Sequence, residues 1–423
     1  MTVKDYYPRV TDKLLSKQLQ ASGAVLIEGA KWTGKTCTGR TMAKSVLYMQ
    51  NTDEAVSNRK LAETQPSLLL RGDTPRLLDE WQEAPVLWDA VRFAVDQRGE
   101  PGQFILTGSA VPTDNATMHT GTGRIARVLM RPMSLYESRE SSGEVSLKAL
   151  FDGTDTIEGI NPINITQMAF LLCRGGWPAA VKQQDSSIAL LTAINYIDQI
   201  AEQDIQRVDG TEKNPNRVRL VLHSLARNIS TMASIQTIKA DIEANDSAVS
   251  DKTITNYLNA LRRIFVIEDI PAWQPSLRSK TAIRTSQKRQ FVDPSLAVAA
   301  MRANPESILK DFCTFGFLFE SLCTRDMRVY AYANDGEILH YRDKNGLESD
   351  MIVRLRDGRW APVEVKLGSQ EIEEAAKHLL ELKEKVDTSK VGEPSFLMIL
   401  TGGQYAYRRK DGVYIVPIGC LKD

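Results

Sequence analysis

At roughly 100–200 residues per domain, a chain of 423 residues with 42% apolar side chains holds about two to four domains, each able to bury a core. Lys plus Arg equals Asp plus Glu at 53 each, so no chain-wide positive field draws the protein to nucleic acid or membrane, and any polyanion site is regional. The opening MTVKDYYPRV lacks the apolar stretch of a signal peptide and no segment approaches the ~18 apolar residues of a membrane span, which sets the expectation of a cytoplasmic protein with no membrane partner.

The first predicted strand is AVLIE, residues 24 to 28, followed at once by GAKWTGKT, residues 29 to 36, and a helical pattern. Gly29, Gly34, Lys35 and Thr36 meet the pattern G-x-x-x-x-G-K-[ST] in the context it requires. Glycines let the backbone curl so that its N–H groups face phosphate oxygens. The lysine brings positive charge to the β- and γ-phosphates, and the threonine hydroxyl ligates Mg²⁺. The expected ATP contacts are Gly29, Ala30, Lys31, Trp32, Thr33, Gly34, Lys35, Thr36 and Cys37.

A second short strand, RLLDEWQ at 76 to 82, ends in adjacent acids. Asp79 is expected in the Mg²⁺ shell beside Thr36, and Glu80 is expected to polarise the attacking water. The third, FILTGSA at 104 to 110, ends in small hydroxyl residues, and Thr107 or Ser109 would sense the γ-phosphate because strand C-termini in an open parallel sheet face one crevice. Downstream, GTGRIARVLMRPMSLYES carries Arg124, Arg127 and Arg131. Arg124 is the candidate to reach a γ-phosphate, in its own chain or from a neighbouring subunit of a ring or dimer; a plain surface role explains it equally.

With GAKWTGKT, LLDEWQ, LTGSA and GRIARVLMRPMSLYE in place, residues 23 to 138 resemble the AAA-type ATP-binding proteins of bacteria and archaea that carry a C-terminal domain of unknown function with a restriction-endonuclease-like look. The resemblance implies an α/β fold: a P-loop NTPase parallel sheet core with helical lid, then a winged helix-turn-helix, then a restriction-endonuclease-like α/β domain. The expected divisions are 1–150 for the ATPase core, 151–210 for the lid, 211–305 for the winged helix and 306–423 for the nuclease-like domain.

Residues 139 to 160 read as a polar loop with at most a short helix. After the turn in RGGWPAAV a helix is expected over about 186 to 207, and Arg174 before it suits a salt bridge better than a nucleotide contact. Three helical stretches follow: NRVRLVLHSLARNIS, SIQTIKADIE and SDKTITNYLNALRRIF, the last capped by Ser250 or Asp251. With the β-rich FVIEDIPAW and a return strand near RQFVD, this is winged-helix order. The connecting SLRSKTAIRTSQKRQF holds Arg278, Lys280, Arg284, Lys288 and Arg289 with no acid among them. Such a basic segment, 278–289, suits phosphate contacts with double-stranded DNA, or is a solvated face.

In ESDMIVRLRDGRWAPVEVKLGSQ, Asp350 opens one strand, RDGR makes a turn, and the second strand presents Glu364 and Lys366 on one side. Two carboxylates can hold Mg²⁺ against a scissile phosphate while a lysine steadies the attacking water. This is the spacing of the PD-(D/E)xK nuclease core without its leading proline, and Glu320 in FLFESL adds an acid on the preceding helix. The expected catalytic set is Asp350, Glu364, Lys366 and Glu320, with Asp350 and Glu364 as metal ligands; a surface hairpin of paired charges is the plainer alternative.

The five cysteines, Cys37, Cys173, Cys313, Cys323 and Cys420, form no C-x-x-C pair and read as reduced thiols. Three functions remain: an ATPase linked to DNA binding or metal-dependent DNA processing, an ATP-dependent switch whose later domains bind a protein partner without cleavage, and a transcriptional regulator. The helix 251 to 263 offers only Lys252, Arg262 and Arg263 for base readout, which ranks the regulator last.

Overall fold

The apolar runs of the first third of the chain become strands of one parallel sheet in a computed structural model that describes residues 5–108, 122–208, 213–243, 249–275 and 286–423. Unit 1 comprises Met1–Arg131, Ile205–Thr211 and Arg263–Phe265, and unit 2 comprises Pro132–Asp204, Glu212–Arg262 and Val266–Asp423.

Unit 1 runs α1 (Val10–Ala21), β1 (Ala24–Glu28), α2 (Lys35–Met42), β2 (Ser45–Tyr48), α3 (Ala55–Thr64), β3 (Arg76–Asp79), α4 (Val86–Arg98), β4 (Phe104–Gly108) and β5 (Ile125–Leu129). The strand order is β2-β3-β4-β1-β5, with every pair parallel and Val25 opposite both Ile105 and Ala126. Strands covered on both faces need continuous apolar runs, and β1 and β4 have them: Ala24 to Ile27 and Phe104 to Leu106 are all buried.

Trp81 and Trp88 pack with ring centroids 5.0 Å apart among Leu78, Leu87 and Leu106. Burying roughly 150–250 Å² apiece at ~25 cal/mol per Å² favours this packing by about 4–6 kcal/mol per ring before entropy is counted. Trp81 directly follows Asp79 and Glu80, so its burial anchors the acidic end of β3. Because β4 lies between β1 and β3, the C-terminal ends of all three open on one crevice.

Unit 2 begins with β6 (Val145–Ser146), α5 (Leu147–Phe151), β7 (Gly159–Ile160), α6 (Ile165–Arg174), α7 (Pro178–Lys182) and α8 (Ser186–Glu202). It continues through α9 (Pro215–Arg227), α10 (Ile235–Glu243), α11 (Asp251–Arg263), α12 (Pro294–Ala300), α13 (Pro305–Lys310) and α14 (Phe312–Ala333). Its last part is β8 (Gly336–Arg342), β9 (Glu348–Leu355), β10 (Trp360–Lys366), α15 (Ile372–Lys385), α16 (Thr388–Val391), β11 (Met398–Thr401), β12 (Tyr405–Arg408), β13 (Tyr414–Pro417) and β14 (Leu421–Lys422).

Helices dominate its middle, where α12 packs against α6, α8 and α9. The three helices expected between 216 and 265 form, and Ser250 caps the last of them by accepting from the Thr253 N–H at 3.1 Å. Among the described residues the β-rich pair expected to follow consists of isolated antiparallel bridges, Ile267 to Phe291 and Ile270 to Lys288. A mixed seven-stranded sheet, β7-β12-β13-β11-β10-β9-β8, closes the chain. The antiparallel hairpin β9–β10 and the parallel crossover β10–α15–β11 give it its mixed character, with Ile372, Ala376 and Leu379 of α15 packed on Ile399 and Ile415.

Residues 132 to 160, which the sequence reading divides at 150, all pack in unit 2. There β6 pairs with β14 and β7 with β12. Two-residue strands carry no period, which is why the segment reads as loop. No described helix is long and apolar enough to cross a membrane. None of the five cysteines is disulfide-bonded.

Candidate functional site

Between β1 and α2 the backbone turns through positive φ at Gly29 (141°), Trp32 (62°) and Gly34 (97°). A Cβ on Gly29 would stand 2.1 Å from the carbonyl oxygen of Met130, so only glycine fits there. The Thr33 hydroxyl donates to the Ala30 carbonyl at 3.0 Å and ties the loop to itself. Lys35 is buried in the loop, its Nζ donating to the carbonyls of Gly29 at 2.9 Å and Ala30 at 2.7 Å. Burial pulls this ammonium down to about 8 against the opposing pull of Glu80 and Asp79. A buried cation at the N-terminus of a helix, held by neutral carbonyls, is a receptor for an anion.

The strand ends complete the crevice. Asp79 Oδ1 accepts from the Thr36 hydroxyl at 2.7 Å and from the Thr107 hydroxyl at 2.7 Å. In turn the Glu80 N–H donates to Thr107 Oγ1 at 3.2 Å. Glu80 itself sits in the left-handed region at φ 54°, and its carboxylate accepts from Gln82. Burial raises the Glu80 carboxyl above its ordinary range, with Lys35 opposing. Thr36 and Asp79 are hard oxygen donors at a spacing that suits adjacent ligands of an octahedral Mg²⁺, which at ~2.0–2.1 Å from the ion stand about 2.9 Å apart.

Not every remaining candidate lines the crevice. Cys37 is exposed on α2, and Ser109 lies outside the described residues. Arg124 pairs with Asp96 at 2.9 Å, and its carbonyl accepts from the N–H of Ala24 at the start of β1, the end of the sheet away from the phosphate loop. It does not reach that loop within its own chain. Arg127 pairs with Glu28 at 2.9 Å. In unit 2, Arg174 makes its salt bridge with Glu140.

Arg9 escaped the sequence reading. Buried at the N-cap of α1, it donates through Nη1 to the Thr33 carbonyl and through Nη2 to the Arg131 carbonyl, each at 2.8 Å. Tyr6 reaches in similarly, its hydroxyl 2.6 Å from Asp12 Oδ1 and 2.7 Å from Thr38 Oγ1. The segment before α1 thereby braces both the loop and α2. A lone arginine beside a proline matches no motif, so only the fold reveals it.

The second constellation, in unit 2, is brought together as expected and with an addition. Asp350 Oδ2 accepts from the Val365 N–H at 2.9 Å, and Lys366 Nζ lies 3.1 Å from Glu364 Oε2. The addition is Lys288, whose Nζ donates to Glu320 at 2.5 Å and to Asp350 Oδ1 at 3.0 Å. Burial pushes Glu320 up to about 8 despite Lys288. For Asp350 burial is outweighed by Lys288 and Lys366, which hold it below the usual carboxylate range. Glu364 is driven well upward by burial and by the neighbouring Asp350.

Two members of the basic segment are thus corrected: Lys288 and Arg289 are not surface cations. Arg289 is buried too, bound to the Ala233 carbonyl at 3.0 Å and to Asp269 at 2.9 Å. Both lie beside the bridges that carry 286–292 into the interior, which a run of unpaired basic letters does not disclose. Arg278, Lys280 and Arg284 lie outside the described residues.

Family models match three segments of the chain: an AAA domain over residues 21–138, and domains of unknown function over 165–307 (DUF8612) and 315–421 (DUF4143). The N-terminal part is therefore an AAA-type P-loop ATPase domain followed by two domains of unknown function. Similar solved structures include the Walker-type ATPase PABY2304 of Pyrococcus abyssi, 14% identical, with 70% of this chain and 96% of that one covered and a TM-score of 0.42. Another is AMPPCP-bound DnaA from Aquifex aeolicus, 12% identical over 60% of this chain and 84% of that one, with a TM-score of 0.27. The FIGL-1 AAA domain in complex with ADP is 15% identical over 62% and 90%, with a TM-score of 0.27. No curated protein matches the chain.

Proposed function

We propose that the protein is an ATP-hydrolysing switch: unit 1 binds and cleaves ATP, and the nucleotide state governs how the chain engages a partner. The carrying observation is the single carboxylate of Asp79 shared by the Thr36 and Thr107 hydroxyls, which links the phosphate loop, the acidic strand end and the third strand end. Lys35 and the N–H groups opening α2 bind the phosphates. Thr36 and Asp79 would hold Mg²⁺, which would supply positive charge to the phosphates. Glu80, its carboxylate steadied by Gln82, orients the attacking water and takes its proton, and burial raises its basicity for that task. Thr107 carries the connection between Asp79 and the Glu80 backbone, so a change at the γ-phosphate is felt at both acids.

A second reading, metal-dependent DNA processing by unit 2 with the helices after 215 gripping duplex, starts from the meeting of Glu320, Asp350, Glu364 and Lys366 in one cluster, and would require their carboxylates to exchange Lys288 and Lys366 for a metal. The ATPase reading is tested by isothermal titration with ATP and by phosphate release, for the wild type beside Lys35→Ala. Binding and turnover lost together in the variant support it; unaltered binding sinks it.

A further inference from the structure

Three carboxylates and two ammonium groups share the buried cluster of unit 2, and the disposition of Lys288 is specific. Its Nζ spans Glu320 on α14, the additional acid of the nuclease-like reading, and Asp350 on β9, one of its two expected metal ligands. The lysine is not a loose surface chain swung inward. Its N–H donates to the Ile270 carbonyl at 3.0 Å, and its carbonyl accepts from the Ile270 N–H at 2.8 Å. The next two residues are fixed as well, Arg289 on Asp269 and Ala233, and Gln290 Nε2 on the Ser230 hydroxyl at 2.9 Å. The ammonium is therefore delivered from a backbone held on both sides.

The carboxylates do not fit a metal while it stands there. Among the described residues no group of three or more His, Cys, Asp or Glu side chains is placed to hold a metal ion. Asp350 has committed Oδ1 to Lys288 and Oδ2 to the Val365 N–H, and Glu364 Oε2 is paired with Lys366. Among the carboxylate oxygens of the cluster, Glu364 Oε1, on a side chain 4% exposed, is buried with no hydrogen-bond partner among the described residues. It stands in a set in which both Asp350 oxygens, Glu364 Oε2 and Glu320 Oε1 are engaged.

We propose that the ammonium of Lys288 is the resident counter-ion of this cluster, occupying the place of a divalent cation between Glu320 and Asp350, so that unit 2 excludes catalytic metal. One positive charge at the end of a tethered chain does here what a dissociable dication does in a cleaving site, and it cannot be chelated away. The cluster then works as an ionic cross-tie joining the segment at 288 to α14 and β9. The inference stands apart from the ATPase reading, since it concerns unit 2 alone.

The test is Mn²⁺ binding to the full chain without nucleotide, counted by electron paramagnetic resonance. Wild type and Asp350→Asn are expected to bind equal amounts of Mn²⁺, because Asp350 is not a metal ligand in the presence of Lys288. Lys288→Met is expected to bind one additional Mn²⁺ per chain, lost again in Lys288→Met combined with Asp350→Asn. A Mn²⁺ site in the wild type that Asp350→Asn abolishes would overturn the proposal, as would a folded Lys288→Met that gains none. Should Lys288→Met not fold, the comparison of wild type with Asp350→Asn decides alone.

Discussion

Thr36 Oγ1 donates to Asp79 Oδ1 over 2.7 Å, joining a residue of the phosphate loop to one 43 positions later. That bond fixes the two side chains proposed to hold Mg²⁺ for ATP turnover. Thr36→Val keeps the shape and removes the hydroxyl, and turnover at saturating ATP is expected to fall roughly 10²-fold. Thr36→Ser keeps the hydroxyl and most of the activity. Titrating Mg²⁺ at fixed ATP checks this: equal Mg²⁺ dependence in the two variants removes Thr36 from the metal shell.

Lys35 gives a pH dependence with a definite sign. Its ammonium is lowered to about 8 by burial in the free protein, and a bound phosphate would raise it again. Below pH 8 the free site already carries the proton that binding needs; above it, binding must take one up. The ATP dissociation constant is therefore expected to weaken about tenfold per pH unit above 8. Calorimetry in buffers of different ionisation enthalpy, with proton uptake appearing only on the alkaline side, measures it. No uptake between about pH 8 and 9.5 would contradict it.

Arg9 should act on binding through position. Arg9→Ala removes a buried donor from the Thr33 and Arg131 carbonyls, at about 1–3 kcal/mol for each group left unpaired. The expected result is a lower melting temperature and a raised KM for ATP, with kcat changed less because Glu80 and Asp79 are untouched. A fall in kcat alone would assign Arg9 a different role.

A buried ionic tie elsewhere in unit 2 predicts a loss of stability without a role in turnover chemistry. Arg325 is 2% exposed and bonds Asp293 Oδ2 at 3.0 Å and Asp326 Oδ1 at 2.8 Å, and Asp293 in turn accepts from the Gly176 N–H. Arg325→Leu leaves two buried carboxylates without their cation and is expected to cost about 3–5 kcal/mol in denaturant unfolding. Adding Asp326→Asn should recover part of the loss; full additivity of the two changes would contradict the coupling.

The phosphate loop was legible because its constraints are local. Left-handed backbone needs Gly34 and positive φ needs Gly29, and both stand at fixed distance from Lys35. Buried parallel strands likewise announce themselves as unbroken apolar runs, and Glu364 and Lys366 share a side because strands alternate. What stayed hidden depends on partners far along the chain. Lys288 meets Glu320 and Asp350 across 32 and 62 residues, and Arg9 meets the Arg131 carbonyl across 122. No periodicity reports such pairs. A lysine in a basic run reads as solvated until the fold shows which carboxylates surround it.

Assistance of ATP hydrolysis by Glu80 is measured most directly as phosphate release by Glu80→Gln beside its ATP affinity. Affinity is expected to stay close to wild type, since Lys35 and the loop are intact, with turnover reduced by roughly 10²-fold or more, the contribution expected of a positioned general base. Wild-type turnover in Glu80→Gln, with ATP binding still dependent on Lys35, would contradict it and move the attack on water to another group.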